Sequence, residues 1–131
     1  MGAEGAKSKA ELSSEGQGRA VYKAIFTFKD DVRLTFDDLS KIFSKNEATL
    51  KRWSKEKLVP LSDKHLREAV SNFIAIFRSL AAMFGDKSDR ALWLKTAHPD
   101  LNMAPLEMMK DSFQGLLHVR AYLDYVRGRG A

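Results

Sequence analysis

Cysteine is absent from the 131 residues, and histidine and proline occur only three times each. The missing thiols exclude disulfides, thiolate nucleophiles and every Cys-based metal site. His65, His98 and His118 are far apart, so a zinc site would need carboxylates to complete it, and no ligand spacing is visible. No apolar run approaches the ~20 residues that cross a bilayer. The first residues, Met1-Gly2-Ala3-Glu4-Gly5, lack the basic-then-apolar order of a secretory signal. There is no Gly-rich phosphate loop, no His paired with Ser in a recognisable motif, and no carboxylate pair at a plausible cleft. The expectation is a non-enzyme without cofactor or metal, kept in a reducing cytoplasm and away from membranes.

What is present is an ordinary globular balance, with 44% hydrophobic and 30% charged residues, enough to build a packed interior. The net charge of +5 mildly favours an acidic partner. It divides as +3 in residues 1–60 (12 basic, 9 acidic) and +2 in residues 61–131 (10 basic, 8 acidic), so neither half monopolises it. The basicity is local, on the stretch 45–57 and on the final tail.

Residues 1–17 hold Gly, Ala, Ser, Glu and Lys, with Met1 and Leu12 the only large apolar side chains. Such a segment buries too little to offset its ordering entropy, which predicts a flexible arm. From Arg19 the texture changes: Val21, Tyr22, Ile25, Phe28 and Val32 recur at helical steps. The alternative is a hairpin through Phe26, Phe28 and then Val32, Leu34, Phe36, turning at Lys29-Asp30-Asp31. Thr35 suits the N-cap of a short helix carrying Phe36, Leu39, Ile42 and Phe43, with Asp37 and Asp38 at its positive end. Ser44-Lys45-Asn46 is a break, and Asn46 caps a helix from Glu47 to about Lys57, stopped by Leu58-Val59-Pro60. Two short helices on a tight turn have the outline of a helix-turn-helix.

Ser62 or Asp63 caps a second unit, in which Leu66, Val70, Phe73, Phe77, Leu80 and Phe84 form an a/d stripe widened by Ala69, Ile74 and Ala81. It is either a dimer seam or the central helix of a bundle. Gly85 suits a left-handed cap, and Ser88 the start of a helix with Ala91, Leu92, Trp93 and Leu94. His98-Pro99-Asp100 stops it, and Pro105 opens a short turn. The last helix runs from Asp111 or Ser112 to Arg127, with Phe113, Leu116, Leu117, Leu123 and Val126 as its apolar set. No internal repeat shows. The expected fold class is all-α, a helix-turn-helix unit followed by a helical bundle.

Two surfaces carry candidate chemistry. On the 47–57 helix, Leu50 and Trp53 share an inner face while Thr49, Lys51, Arg52 and Lys55 look outward. A helix lying in a major groove needs that division. The plainer alternative is a solvated surface helix, with Trp53 a core anchor in either case. At the other end, Arg120, Tyr122 and Tyr125 lie beside the apolar stripe of the last helix, and the chain closes Arg127-Gly128-Arg129-Gly130-Ala131. Tyr and Arg next to apolar surface favour a protein interface, against a frayed terminus with spare charge.

The run Leu34-Thr35-Phe36-Asp37-Asp38-Leu39-Ser40-Lys41-Ile42-Phe43, then Asn46-Glu47-Ala48-Thr49-Leu50-Lys51-Arg52-Trp53, resembles the helix-turn-helix of the Xre/MbcA/ParS antitoxin family. Ala82-Met83-Phe84-Gly85, Ala91-Leu92-Trp93-Leu94, His98-Pro99-Asp100-Leu101, Pro105-Leu106-Glu107-Met108 and the stretch Gly115 to Tyr125 resemble its toxin-binding domain. The resemblance covers about Arg19 to Arg129. Arg33 stands where the family's first turn often has Gly, and Asn102-Met103-Ala104 replaces a Gly-containing loop.

The resemblance implies a type II antitoxin in three parts: the arm (1–17), an Xre-like helix-turn-helix unit (18–61) and a toxin-binding helical domain (62–131). The implied partners are a cognate RES-domain toxin that consumes NAD, operator DNA, and a second copy of the chain in a homodimer and toxin–antitoxin hetero-oligomer. Asn46, Thr49, Lys51, Arg52 and Lys55 would face DNA and repress the operon. Arg120, Tyr122, Tyr125, Arg127 and Arg129 would contact the toxin and obstruct its active-site cleft. The alternative is a free-standing helix-turn-helix transcriptional regulator whose C-terminal unit only dimerises.

Overall fold

The computed structural model describes residues 8–129, which form seven helices and no strand. They are α1 (Lys9–Asp31), α2 (Phe36–Phe43), α3 (Glu47–Glu56), α4 (Lys64–Met83), α5 (Lys87–Lys95), α6 (Pro105–Asp111) and α7 (Phe113–Arg129). The fold is all-α, and the hairpin alternative through Phe26 to Phe36 is replaced by the end of α1 and the start of α2.

α1 begins well before Arg19, because Ser8 caps it, accepting the Glu11 backbone N–H at 3.1 Å. Residues 9–17, expected as part of the arm, are its first turns; residues 1–7 lie outside the described set. Once Ile25, Phe28 and Val32 are packed, each further helical residue adds a backbone hydrogen bond without a new nucleation cost. Gly18 lets the chain after α3 lie directly on α1. A Cβ there would sit 2.7 Å from Leu58 Cδ1 and from the Val59 carbonyl, and the Val59 N–H donates to Gly18 O at 3.1 Å.

α2 opens with a capping box: the Thr35 hydroxyl accepts the Asp38 N–H at 3.0 Å, and the Asp38 carboxylate accepts the Thr35 N–H at 2.9 Å. Asp63, not Ser62, caps α4, accepting the His65 N–H. The buried face of α4 is Leu66, Ala69, Val70, Phe73, Ile76 and Leu80, with Phe77 and Phe84 only half-buried. The buried face therefore departs from the strict heptad at Phe77 and Phe84. α7 packs along this part of α4, where Arg127 reaches Ser79, so the buried face turns toward Ile76 and Ser79 and leaves Phe77 at the rim. α4 is the central helix, touching α1, α2 and α7.

Gly85 does not take the left-handed cap, and among the described residues no glycine has positive φ. α4 ends instead at Phe84 in extended conformation, and the Arg90 guanidinium donates to the Phe84 carbonyl at 2.8 Å. Asp86 rather than Ser88 caps α5. Arg33 (φ 57°) and Asn102 (φ 61°) both adopt the left-handed conformation that glycine takes most cheaply. These are the two places where the chain departs from its family resemblance.

α6 starts on Pro105 and packs on α7, whose buried side is Leu116, Val119 and Leu123; Leu117 and Val126 sit at its edge. Helices α6 and α7 approach so closely that a Cβ on Gly115 would fall on the Met108 carbonyl oxygen. One hydrophobic cluster runs from Ile25 to Leu123 through both halves of the chain. Replacing Gly115→Ala forces backbone apart rather than a flexible side chain. It is expected to cost about 3 kcal/mol, the top of the range for an overpacked core, as a lowered urea midpoint.

Candidate functional site

α2 and α3 meet across Ser44-Lys45-Asn46. Ser44 is left-handed (φ 54°), and the Lys45 N–H donates to Ser40 O at 3.0 Å. Asn46 caps α3, its side-chain oxygen accepting the Thr49 N–H at 2.8 Å, so this residue holds the helix start in place. Leu50 and Trp53 are buried, and the Trp53 indole N–H has no partner among the described residues. Opposite them Lys51, Arg52 and Lys55 are exposed and Thr49 is half-buried. The inner and outer faces of α3 thus divide as the spacing predicts. Lys51 Nζ lies 5.9 Å from the centroid of the Phe36 ring, with Lys29 Nζ at 4.5 Å from the same ring.

Ion pairs tie this unit to the C-terminal helices. Lys110 of α6 reaches the Asp38 carboxylate at 2.9 Å, with 16% and 12% of the two side chains exposed. Arg90 of α5 binds Asp31 at the end of α1 at 2.7 Å, and Lys95 donates to the Arg33 carbonyl at 3.3 Å. Burial raises the Asp38 carboxyl. The Thr35 backbone N–H, the hydrogen bond and charge of Lys110 and the Thr35 side chain outweigh it and hold the group below its ordinary value. Lys110 is raised, chiefly by its hydrogen bond to Asp38, against the opposing effect of burial. Sequence reading identified Asp38 as a capping acid and missed its second role, because its partner is 72 residues away.

On α7 the expected contact residues divide into two groups. Arg120 donates to the Asn72 side-chain oxygen at 3.2 Å and lies 3.7 Å from Asp124, and Arg127 donates to the buried Ser79 hydroxyl at 3.1 Å. Both guanidinium groups therefore brace α7 against α4. Tyr122 donates to the Asp100 carboxylate at 3.0 Å and stacks on Trp93 at 6.4 Å. Tyr125 projects outward with 58% of its surface exposed. Arg129 is the last helical residue, and Gly130 and Ala131 lie outside the described set.

Residues outside the expected contact set complete this surface. The His98 ring packs on Trp93 at 4.8 Å, its Nε2 lies 2.9 Å from the Trp93 carbonyl, and the His98 N–H donates to Met103 O at 3.3 Å. Met103 and Leu92 are exposed, at 38% and 65%. Trp93, placed only on a helix by its spacing, thus joins α5, the 96–104 loop and α7. No pattern within a single helix carries that information. Among the described residues no group of three or more His, Asp or Glu is arranged to hold a metal ion, and no helix is long and apolar enough to cross a membrane.

Residues 79–129, from the last turn of α4 to the end of α7, match the family of the antitoxin Xre/MbcA/ParS C-terminal toxin-binding domain. The motifs quoted between Ala82 and Tyr125 all fall within that match. No curated protein matches the chain.

The Asp38–Lys110 pair generates a stability prediction with a definite pH sense. A carboxyl held low stabilises the fold above the ordinary aspartate value of 3.8, and that contribution is lost as pH falls through its lowered value. Asp38→Ala breaks the capping box and strands Lys110, costing about 2–4 kcal/mol at neutral pH. The gap in unfolding temperature between the variant and the unaltered chain should close as pH is lowered below 3.8.

Proposed function

We propose that the chain is a type II antitoxin that neutralises a RES-domain, NAD-consuming toxin by binding it, and that represses its own operon through α3. The observation that carries this reading is the family match over 79–129, which includes the whole of α7. Tyr125, the most exposed aromatic on that helix, supplies an anchor of the type that dominates interfaces. Inhibition is steric: α7 and the tail after it occupy the cleft that NAD must enter. In this proposal residues 18–61 are the DNA-facing unit, residues 62–131 the toxin-facing one, and the chain acts as a homodimer within a larger toxin–antitoxin assembly.

Arg120 and Arg127 contribute by fixing the height and rotation of α7 on α4, and Tyr122 by its bond to Asp100. Tyr125 then makes the direct contact, together with Arg129. Asn46 sets the start of α3, and Thr49, Lys51, Arg52 and Lys55 meet the DNA.

Two measurements test the two halves separately. Tyr125→Ala should leave the unfolding temperature unchanged and weaken toxin neutralisation about tenfold to thirtyfold, the loss of roughly 1.4–2 kcal/mol at a central anchor. It is read as residual NAD consumption at fixed antitoxin concentration, and full inhibition by the variant would remove Tyr125 from the contact. Arg52→Ala with Lys55→Ala should abolish binding to the DNA upstream of the coding region while neutralisation persists. A chain that loses all biological effect through this pair alone is a free-standing regulator instead.

A further inference from the structure

A second basic surface lies beside α3, on a helix that the sequence reading left out of the DNA-facing set. Arg19, Ala20, Tyr22 and Lys23 of α1 and Lys57, at the C-terminal cap of α3, line a depression of about 420 Å³. Arg19 and Lys23 are one helical turn apart, and with Lys57 all three cations are exposed. Its walls are held in register by the close approach at Gly18, where Leu58 and Val59 lie on the α1 backbone.

Lys57 carries a specific cost. It sits at φ 57° and ψ 42°, a left-handed helix end that glycine occupies most cheaply and that a lysine side chain gains nothing by occupying. Its backbone N–H donates to Trp53 O, a bond that glycine would make equally well. The fold needs the conformation here and not the charge.

From Tyr22 in the lining, a row of aromatic rings leads to Phe36 at the start of α2, beside Lys51 of α3. Tyr22 and Phe26 rings are 5.0 Å apart, Phe26 and Phe36 are 6.3 Å apart, and Lys29 and Lys51 both lie over Phe36. Cations therefore border the seam between α1 and α3, with Glu15, Asp30, Glu47 and Glu56 the acidic residues nearest to them in sequence.

We propose that this seam is a track for the sugar–phosphate backbone of duplex DNA, with Arg19, Lys23 and Lys57 contacting phosphates that flank the groove entered by α3. The proposal rests on the DNA-binding reading of α3 and adds to it the phosphate contacts that would set orientation on the duplex. Arginine offers phosphate a planar fork and lysine a point charge, and neither reads base sequence from outside the grooves. The seam therefore supplies affinity and salt dependence, and α3 supplies discrimination.

The test uses the full chain and two duplexes of about 30 base pairs, near three helical turns. One is taken from immediately upstream of the coding region, and the other is a scrambled version of it. Affinity is measured by fluorescence anisotropy between about 50 and about 200 mM salt, where log K falls by about 0.9 per phosphate contacted for each tenfold rise in salt.

Arg19→Gln with Lys23→Gln should reduce that slope by about 2 on both duplexes, leaving the preference between them and the unfolding temperature unchanged. Lys57→Gly should reduce it by about 1 without lowering the unfolding temperature, since glycine suits the left-handed position. Arg19→Lys with Lys23→Arg should keep the full slope. If the Gln and Gly variants keep the slope while Arg52→Ala with Lys55→Ala reduces it, α3 binds DNA and the seam does not. If these variants instead weaken only the complex with the toxin, the seam holds an acidic protein surface and the proposal is wrong. If the unaltered chain binds neither duplex at low salt, the DNA-binding reading itself fails and takes the seam with it.

Discussion

The ring of Phe73, midway along α4, lies where the N-terminal helices converge. It packs at 4.7 Å on Phe28 of α1 and at 5.0 Å on Phe43 of α2, and Phe43 in turn meets Trp53 of α3 at 6.2 Å. These side chains are buried, so the orientation of the helix-turn-helix unit is set by how its rings interlock with the central helix of the other half. The opposite flank of α4 receives α7. A single helix thus serves as the floor for both proposed binding surfaces, and a rotation of α4 would move both.

Around that apolar junction, charge has two different uses. Arg90, Lys110, Arg120 and Arg127 are engaged in contacts between elements: with the end of α1, the cap of α2, and the body of α4. Their low exposure in the first two cases makes the partner indispensable, since a buried charge left alone is costly. By contrast Arg52, Lys55 and Lys57 project from α3 and its end into solvent. The formal charge is similar in the two halves, and both offer cations outward, since Lys64, Arg78 and Lys87 are exposed as well. Counting charges along the chain does not separate the two uses; the pairing does.

Local stereochemistry was legible to a useful depth. Thr35 and Asn46 cap α2 and α3 as their side chains and positions suggest, Pro105 opens α6, and the inner face of α3 is Leu50 and Trp53. The errors share a physical origin. The start of α1 depends on a cap at Ser8 and on anchoring farther along the helix, so composition underestimated the helicity of residues 9–17. Phe77 gave up its central place to Ile76 because α7, a distant segment, packs on the Ile76 and Ser79 side of α4. Gly85 was not used as a helix end because Arg90, from the next helix, satisfies the Phe84 carbonyl.

The amino-acid sequence by itself determined the helical class, the tight turn before α3, the division of that helix into apolar and basic faces, and the C-terminal part of the resemblance, which the 79–129 match bears out. These are properties of residues within a few positions of one another, where periodicity, capping and backbone preference act. Tertiary structure decided which charges are engaged internally, which aromatic residues face outward, and how α1 borders α3. Those outcomes depend on groups such as Asp38 and Lys110, or Trp93 and Tyr122, that meet only after the core has closed. Their energies come from burial and desolvation at the contact, which no local pattern encodes.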